Sequence, residues 1–597
     1  LDDSVASVET LIGGLLGLIA AVGIGCGFIR LLGPIPIRWR LATSMLAGVA
    51  IIDLCVMLVL FLGGGPRGVK LAGIGATLIG GCVLLRSFTY LRSTAAPMIV
   101  RGADRCFLGV ILTAVAINLA IAVAPSTKID ELHYHMLVPK RVVEDGELRL
   151  YRRPYEAAIF PQMGFQIGLS VAQVARFPEA GNVISWGLGA TLILLVTGLT
   201  ADLTGITTAG WMTGAIAAVG LYPAVWHVTS GPHALGDLST VTACLLALLP
   251  DRLPPEMKPQ TRLFLVSLAA YAAASTKISL LPLACALTLI GVHRAGTAIG
   301  WKKAAGIATG VWAAFYGPII LWTTVKCGSP FGLATASLFH SHYFGPDIIA
   351  ELADAARTNQ TGWKPLVAWL APSVSLGMIA AFGVVAYTAW KREQIFRILL
   401  GLVCGQALLI AWLLPHEFRF LGGLQYVVLI LAAWAAWPSH LGARFVTHWW
   451  IVLIGMCLPW LAVQGYYARP FIKVDLGIIS RDSFLHQYVA FADDFKTLDR
   501  ILPANAVLYI TNSRAPSYYA PRPVIYTLED LKGQWPLYRF AVGADASTVE
   551  SPFYCVETVY KNLSAVSVVY RTPGRAPVCD PIVVERCVTT GGAQPDR

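Results

Sequence analysis

The stretch KIDELHYHMLVPKRVVEDG, from Lys128 to Gly146, gathers Asp130, Glu131, His133, Tyr134 and His135 into six consecutive positions. Carboxyls and imidazoles at that density are groups that can exchange protons with a bound molecule. Other ionisable residues stand alone in apolar surroundings. Asp237 lies in SGPHALGDLSTVTACLLALL, Lys277 in AAASTKISLLPL, and His416, Glu417 and Arg419 in LLPHEFRFLGGLQYV. Each has an ordinary explanation. The two acids can balance Lys128, Lys140 and Arg141 on a wet surface, Asp237 can cap a helix, Lys277 can snorkel, and Arg419 can pair with Glu417. Ionisable residues in membrane segments are nonetheless functional candidates. Separate segments that deliver acids and bases to one membrane face point to a site.

The elements that must position these residues are apolar. Of 597 residues, 56% are hydrophobic and 13% charged, and mean hydropathy is +0.64. Soluble domains carry about 25% charged residues, so this composition belongs to a polytopic membrane protein. The net charge of +11 fits basic cytoplasmic loops. No basic run interleaves with aromatics, which argues against nucleic acid as a partner. The twelve cysteines include no CxxC pair, and most read as small buried hydrophobes. Cys555, Cys579 and Cys587, in the polar tail, could supply one disulfide, with the pair left open. The chain opens at Leu1 without a basic leader, so no ordinary signal peptide is expected.

Runs of ~17–25 apolar residues, long enough to cross the hydrocarbon, fall near 10–31, 41–63, 69–86, 106–124, 181–202, 208–228, 233–249, 303–324, 366–390, 396–414, 421–437 and 446–467. A longer block, 262–293, is expected to be two short helices turning at Lys277. That makes about fourteen crossings. Arg38 with Arg40, Arg86 to Arg105, Arg252 to Arg262, Arg294 to Lys303, and Lys391 to Arg397 share one side of such a set, which the positive-inside rule makes cytoplasmic. The loop with Arg67 and Lys70 is a minor exception. Both termini, the 125–180 segment and the 325–365 loop then lie outside. Segments 130–146 and 161–177 read as amphipathic helices on the membrane surface. The tail from about 470 reads as a small extracytoplasmic α/β domain, with a helix from Asp493 to Arg500 and strand-like AVLYI (506–510) and SVVYR (567–571). The chain thus divides into a three-helix extension (1–105), a transmembrane core (106–469) and that domain (470–597).

The ordered motifs resemble those of the polyprenyl-phosphate-sugar-dependent integral membrane glycosyltransferases of the GT-C class. This class includes protein O-mannosyltransferases and the aminoarabinose transferases of lipid A. Bacterial members carry a first outer loop D-x-x-x-Y-H-x-x-x-P-K, met here by Asp130, Tyr134, His135, Pro139 and Lys140. Phe160-Pro161, Asp237 at the head of a span, Thr276-Lys277, Gly328-Ser329-Pro330 and Arg419-Phe420 follow in the family's order. Ser329 replaces an asparagine and Phe420 a tyrosine. The likeness runs from about residue 106 to 530 and leaves the first three spans as an extension.

What the resemblance implies is transfer of a sugar from a lipid phosphate to an acceptor, with inversion at the anomeric carbon, in a bacterial cytoplasmic membrane. Asp130 is then expected to be the general base, with Glu131 as its neighbouring substitute. Lys277 and Arg419 would meet the donor phosphate. Asp237 would orient the acceptor or a cation, and His133, Tyr134, His135, His416 and Glu417 would line the substrate site. Its partners would be a polyprenyl-phosphate-linked sugar, a lipid, glycan or protein acceptor, membrane lipids and, where it works in a complex, other membrane subunits. No cofactor is required. His133 and His135 could hold a divalent metal with Glu131, though no fourth ligand is evident. The alternative is a non-catalytic scaffold or auxiliary subunit that keeps the fold. A transporter fits less well, because polar groups are sparse at the midplane, where transporter sites lie.

Overall fold

Inside a bilayer every backbone N–H and C=O must find a partner within the chain, so a sequence this apolar folds as helices. The computed structural model describes residues 3–92, 100, 102–148, 150, 179–249, 257–358, 376–391, 393–413, 418–437, 441–502, 504–510, 517–525, 537–542 and 565–570. The first half comprises α1 (Asp3–Leu31), α2 (Ile37–Phe61), α3 (Gly65–Arg92), α4 (Ala103–Val123), α5 (Leu137–Asp145), α6 (Ala180–Thr204), α7 (Thr207–Ala218), α8 (Leu221–Trp226), α9 (His233–Leu248) and α10 (Pro259–Thr276). The second half continues with α11 (Leu281–Ile299), α12 (Trp301–Phe315), α13 (Gly317–Cys327), α14 (Pro346–Thr358), α15 (Leu376–Trp390), α16 (Gln394–Leu413), α17 (Leu424–Ala436), α18 (Leu441–Asp475), α19 (Arg481–Tyr488) and α20 (Ala492–Ile501).

Among the described residues, six helices are long and apolar enough to cross a membrane, or seven when α12 and α13, bent by 53°, count as one span. Four shorter apolar helices lie in α9, α15, α16 and α17. The chain is an α-helical, multi-span membrane protein. The hydropathy reading gives about fourteen crossings, and among the described residues not every one of those apolar runs is a single long helix. The 208–228 run breaks at Val219, whose extended backbone (φ −92°, ψ 152°) separates α7 from α8. The 262–293 block does divide at Lys277, which is extended at φ −153°, ψ 132°.

Small residues set the closest helix contacts. A Cβ added at Gly23 would lie 1.9 Å from the Gly80 carbonyl oxygen, so α1 and α3 touch backbone to backbone, as membrane helices do at small residues. All sixteen residues of α9 are buried. Its sides are covered by neighbours that share one large core with α2, α6, α10 and α17. Asp237, near the start of α9, is therefore enclosed on every side.

Beyond α18 the chain builds a four-stranded sheet, in the order β2-β1-β3-β4, from β1 (Val507–Ile510), β2 (Val524–Ile525), β3 (Leu537–Val542) and β4 (Ala565–Tyr570). β1 pairs in parallel with β2 and β3, and β3 pairs antiparallel with β4. β1 is a short apolar run buried at three of its four positions, as a central parallel strand requires. Leu508 and Val524 join Phe495, Leu498 and Leu502 in a small core that also takes in Leu137 of α5. The sheet unit thus rests on the segment that follows Asp130. The 161–177 helix, Phe160-Pro161, Cys555, Cys579 and Cys587 lie outside the described residues.

Candidate functional site

Three breaks in helical structure bring the polar residues to one end of the bundle. The first follows α4. Residues Glu131–His135 form one π-helical turn before α5 begins, with Asp130 at its head. The second separates α8 from α9 and carries Trp226 to Pro232. The third precedes α17, where Phe418–Leu421 make a 3₁₀ turn followed by Gly422 and Gly423. Gly423 has φ +90°, and a Cβ there would sit 2.6 Å from the carbonyl oxygen of Asp237. Only glycine permits both that conformation and that approach. The Arg419 turn therefore nests directly on α9.

Arg419 reaches Asp130 from this turn. Its Nη1 donates to Asp130 Oδ2 at 3.2 Å, and its guanidinium carbon lies 4.3 Å from the centre of the Trp226 ring. The arginine side chain is 13% exposed, whereas Asp130 keeps 41% of its side-chain surface open. Burial favours the neutral Asp130 carboxyl, but Arg419, and beyond it Lys277, outweigh this and hold it below the usual aspartate range. Lys277, extended between α10 and α11, thus acts on the same carboxylate from a third direction.

Glu131 turns the other way. It is 3% exposed, accepts a hydrogen bond from the Ser126 hydroxyl, and accepts another from the Ser230 backbone N–H at 2.8 Å. Ser230 in turn donates to Asn182 Oδ1 at 2.6 Å. Burial raises the Glu131 carboxyl above the ordinary glutamate range, with the Lys128 charge opposing it. Lys128 itself donates to the Val225 carbonyl and lies 5.3 Å from the Trp226 ring centre. Dense surroundings pull its ammonium down to about 7, with Glu131 and Asp130 opposing that fall and Arg419 adding to it.

His133 and His135 are both buried. The Tyr134 ring sits between them, 4.1 Å from His135 and 6.4 Å from His133, centre to centre. Burial pulls His135 down to about 3, so it is neutral at physiological pH. Glu131 is committed to Ser126 and Ser230, so it does not join the histidine pair. Among the described residues no three His, Cys, Asp or Glu side chains form a metal-holding group.

Asp237 is closed off. At 1% exposure, its Oδ2 accepts from the Tyr222 hydroxyl at 2.9 Å and lies 2.9 Å from His227 Nε2. The Tyr426 ring centre is 6.0 Å from that of His227. Trp226 beneath Arg419 and His227 against Asp237 are consecutive residues, so one short turn serves both carboxylates.

The structure thus gathers Asp130, Lys277, Arg419 and His135, turns Glu131 inward, and encloses Asp237 beneath them. His416 and Glu417 lie outside the described residues. Three contributors escaped the sequence reading. Lys128 looked like a surface charge, Trp226 like the end of a span, and His233, whose ring centre is 4.7 Å from that of Trp226, like a helix start.

No family model and no curated protein sequence matches the chain. Among solved structures it is similar to ArnT from Cupriavidus metallidurans bound to undecaprenyl phosphate. That likeness has 14% identity and a TM-score of 0.48, covering 79% of this chain and 98% of that one. It is also similar to ArnT in the apo state, with 13% identity and a TM-score of 0.44 over 78% and 97% of the two chains. The Archaeoglobus fulgidus oligosaccharyltransferase in its apo form is similar at 13% identity and a TM-score of 0.37, over 71% of this chain and 65% of that one.

Proposed function

We propose that the chain is a membrane glycosyltransferase that moves a sugar from a polyprenyl-phosphate donor to an acceptor hydroxyl on the extracytoplasmic face. The observation that carries this is the Asp130–Arg419 pair. It joins a partly open carboxylate to a cation at one end of an apolar bundle, with Lys277 acting on the same group. The basic loops support an outward placement of that end by the positive-inside rule, and the polar tail shares it.

In the reaction the acceptor oxygen attacks the anomeric carbon while the bond from that carbon to the phosphate oxygen breaks. The phosphate leaves with the electron pair, and Asp130 takes the acceptor proton. Attack opposite the leaving group inverts the anomeric centre. Arg419 and Lys277 stabilise the charge that collects on the phosphate, in surroundings where such contacts are stronger than in water.

A carboxylate held by arginine is ionised but weakly basic. A donor phosphate competes for the same guanidinium, which offers several donors in a fixed fork. As Arg419 turns its donors to the phosphate, Asp130 loses the partner that depresses its basicity. The base is therefore strongest when the leaving group is in place. Neutral His135 and Tyr134 line the approach and add no charge.

The test is turnover by the purified chain in lipid nanodiscs, with a panel of undecaprenyl-phosphate-linked sugars and a lipid or glycan acceptor. Release of undecaprenyl phosphate that depends on acceptor and on Asp130 supports the proposal. If no donor in the panel is consumed, the non-catalytic scaffold becomes the better assignment.

A further inference from the structure

The sheet unit does more than rest on the bundle. We propose that Tyr518 and Tyr519 are positioning residues that clamp the Asp130 turn from behind, which makes the extramembrane domain part of the working site. This rests on the function proposed above only for its kinetic consequence.

The contacts fall on both sides of Asp130. On one side, the Tyr519 hydroxyl donates to the Ser126 carbonyl at 3.0 Å. Ser126 uses its own hydroxyl to hold the Glu131 carboxylate, which is held again by the Ser230 N–H. On the other side, Tyr518 is buried in a cluster with Leu132, Met136 and Val489. Lys140 Nζ donates to the Tyr518 carbonyl at 3.3 Å and lies 5.2 Å from the Tyr518 ring centre. Leu137 is inserted into the domain's own core.

The docking surface is itself fastened. Arg481, just after α18, donates to Glu179 at 2.5 Å, and that carboxylate is fully buried at the head of α6. The turn thus has Arg419 at its open side and the Tyr518–Tyr519 pair at its back.

A π-helical turn is rare and occurs mostly as a single turn, often at functional sites, and a turn of five residues has few local bonds to keep it in place. A misplacement of about 1 Å at a reacting group costs roughly 10²-fold in rate. A clamp that removes this freedom raises kcat without touching the donor, and that separates it from a residue that binds phosphate.

The experiment uses the full chain in nanodiscs. Backbone hydrogen exchange over 126–137 is measured without substrate, and kcat and donor KM are measured with the best donor of the panel. For Tyr518→Ala we expect exchange in that segment to rise about tenfold or more, with other helices unchanged. kcat should fall roughly 10²-fold, donor KM should stay within about threefold, and Tyr518→Phe should restore both readings. Tyr519→Phe removes one oxygen and still folds. It should raise exchange next to Ser126 by a factor of about five, the worth of one neutral hydrogen bond. Unchanged exchange in both variants overturns the clamp, whether or not the chain turns over. Raised exchange with an unchanged kcat overturns the positioning role. A wild-type chain that consumes no donor removes the transferase assignment alone, because the exchange result is read without substrate.

Discussion

Asp130 and Asp237 are the same residue type at the same end of one bundle, and the structure uses them in opposite ways. Asp130 is 41% exposed and paired with the Arg419 guanidinium, which under the proposed mechanism turns to the donor phosphate. Asp237 is 1% exposed, and its Oδ2 is engaged by Tyr222 and His227. The first carboxylate can meet a substrate without breaking the fold. The second cannot, since moving it would leave a buried hydroxyl and a buried ring nitrogen to find new partners. An acid at the head of a span can therefore sit in either setting. What separates the two is whether the partner is exchangeable.

The largest effect should come from Asp130→Asn. The amide keeps the shape and much of the hydrogen bonding but cannot take a proton. Single-turnover transfer should fall by about 10²–10⁴, the worth of a general base, while donor binding and thermal unfolding change little. Transfer at the wild-type rate would leave Asp130 no more catalytic than Asp237.

Asp237→Leu attacks the other half of the comparison. It removes the carboxylate that engages the Tyr222 hydroxyl and His227 Nε2, and losing a partner costs a buried polar group about 1–3 kcal/mol. The unfolding temperature in detergent should drop clearly, and the fraction that remains folded should turn over at close to the wild-type rate. A stable variant without turnover would bring Asp237 into the chemistry and erase the distinction.

Part of this was legible in the sequence and part was not, for physical reasons. The break at Lys277 shows in the sequence because a 32-residue apolar block is too long for one crossing, and Pro282 begins the next helix. The helix at Ala492–Ile501 and the strand at Val507–Ile510 follow from local pattern. The pairing of Arg419 with Asp130 spans 289 positions, and no local signal reports it. Glu131 was expected to stand in for Asp130. Neighbouring residues on a helical turn point roughly 100° apart, so exposing one carboxylate buries the other. His227 engages Asp237 from ten residues earlier, a spacing that means nothing on a continuous helix and depends on the break at Gly231-Pro232. Lys128 was read as a solvated charge because its cover comes from Val225 and Trp226, almost a hundred positions away.

Arg419→Gln should sharpen the account of Asp130. The arginine is the main group holding that carboxyl below its usual range, against burial that would raise it. Without the arginine, the acid limb of the kcat/KM profile, which reports the free enzyme, should move to higher pH. Donor KM should rise as well, because the proposed mechanism has the same side chain meet phosphate. Lys277→Met should raise donor KM by about tenfold, with a smaller shift of the acid limb. An acid limb that stays in place in Arg419→Gln would mean that the ion pair does not set the base.

The smallest effect concerns Lys128, which lies on the Asp130 side of the comparison but was not expected there. Its ammonium titrates near 7 instead of the ordinary 10.5, because its surroundings strip away solvent. The groups that face it are Glu131, Asp130 and Arg419, and two of these favour its charge. Below pH 7 the site therefore carries one more positive charge than above it. A phosphodiester donor keeps the same single charge throughout, so its affinity should rise by a small factor as pH falls from 8 to 6. The sign for folding is opposite. A lowered folded value means that this group's contribution to stability is present above about 10.5 and is lost as pH falls toward 7. Lys128→Gln should flatten the affinity step and remove this group's share of the pH dependence of unfolding, while Asp130-dependent turnover persists. Binding of a radiolabelled polyprenyl-phosphate-linked sugar, a diester of constant charge, at pH 6, 7 and 8 reads the first effect, and thermal unfolding at pH 7 and 9 reads the second. If the wild-type affinity step survives in Lys128→Gln, another group titrates near the phosphate, and Lys128 belongs with Asp237 among the residues engaged within the fold.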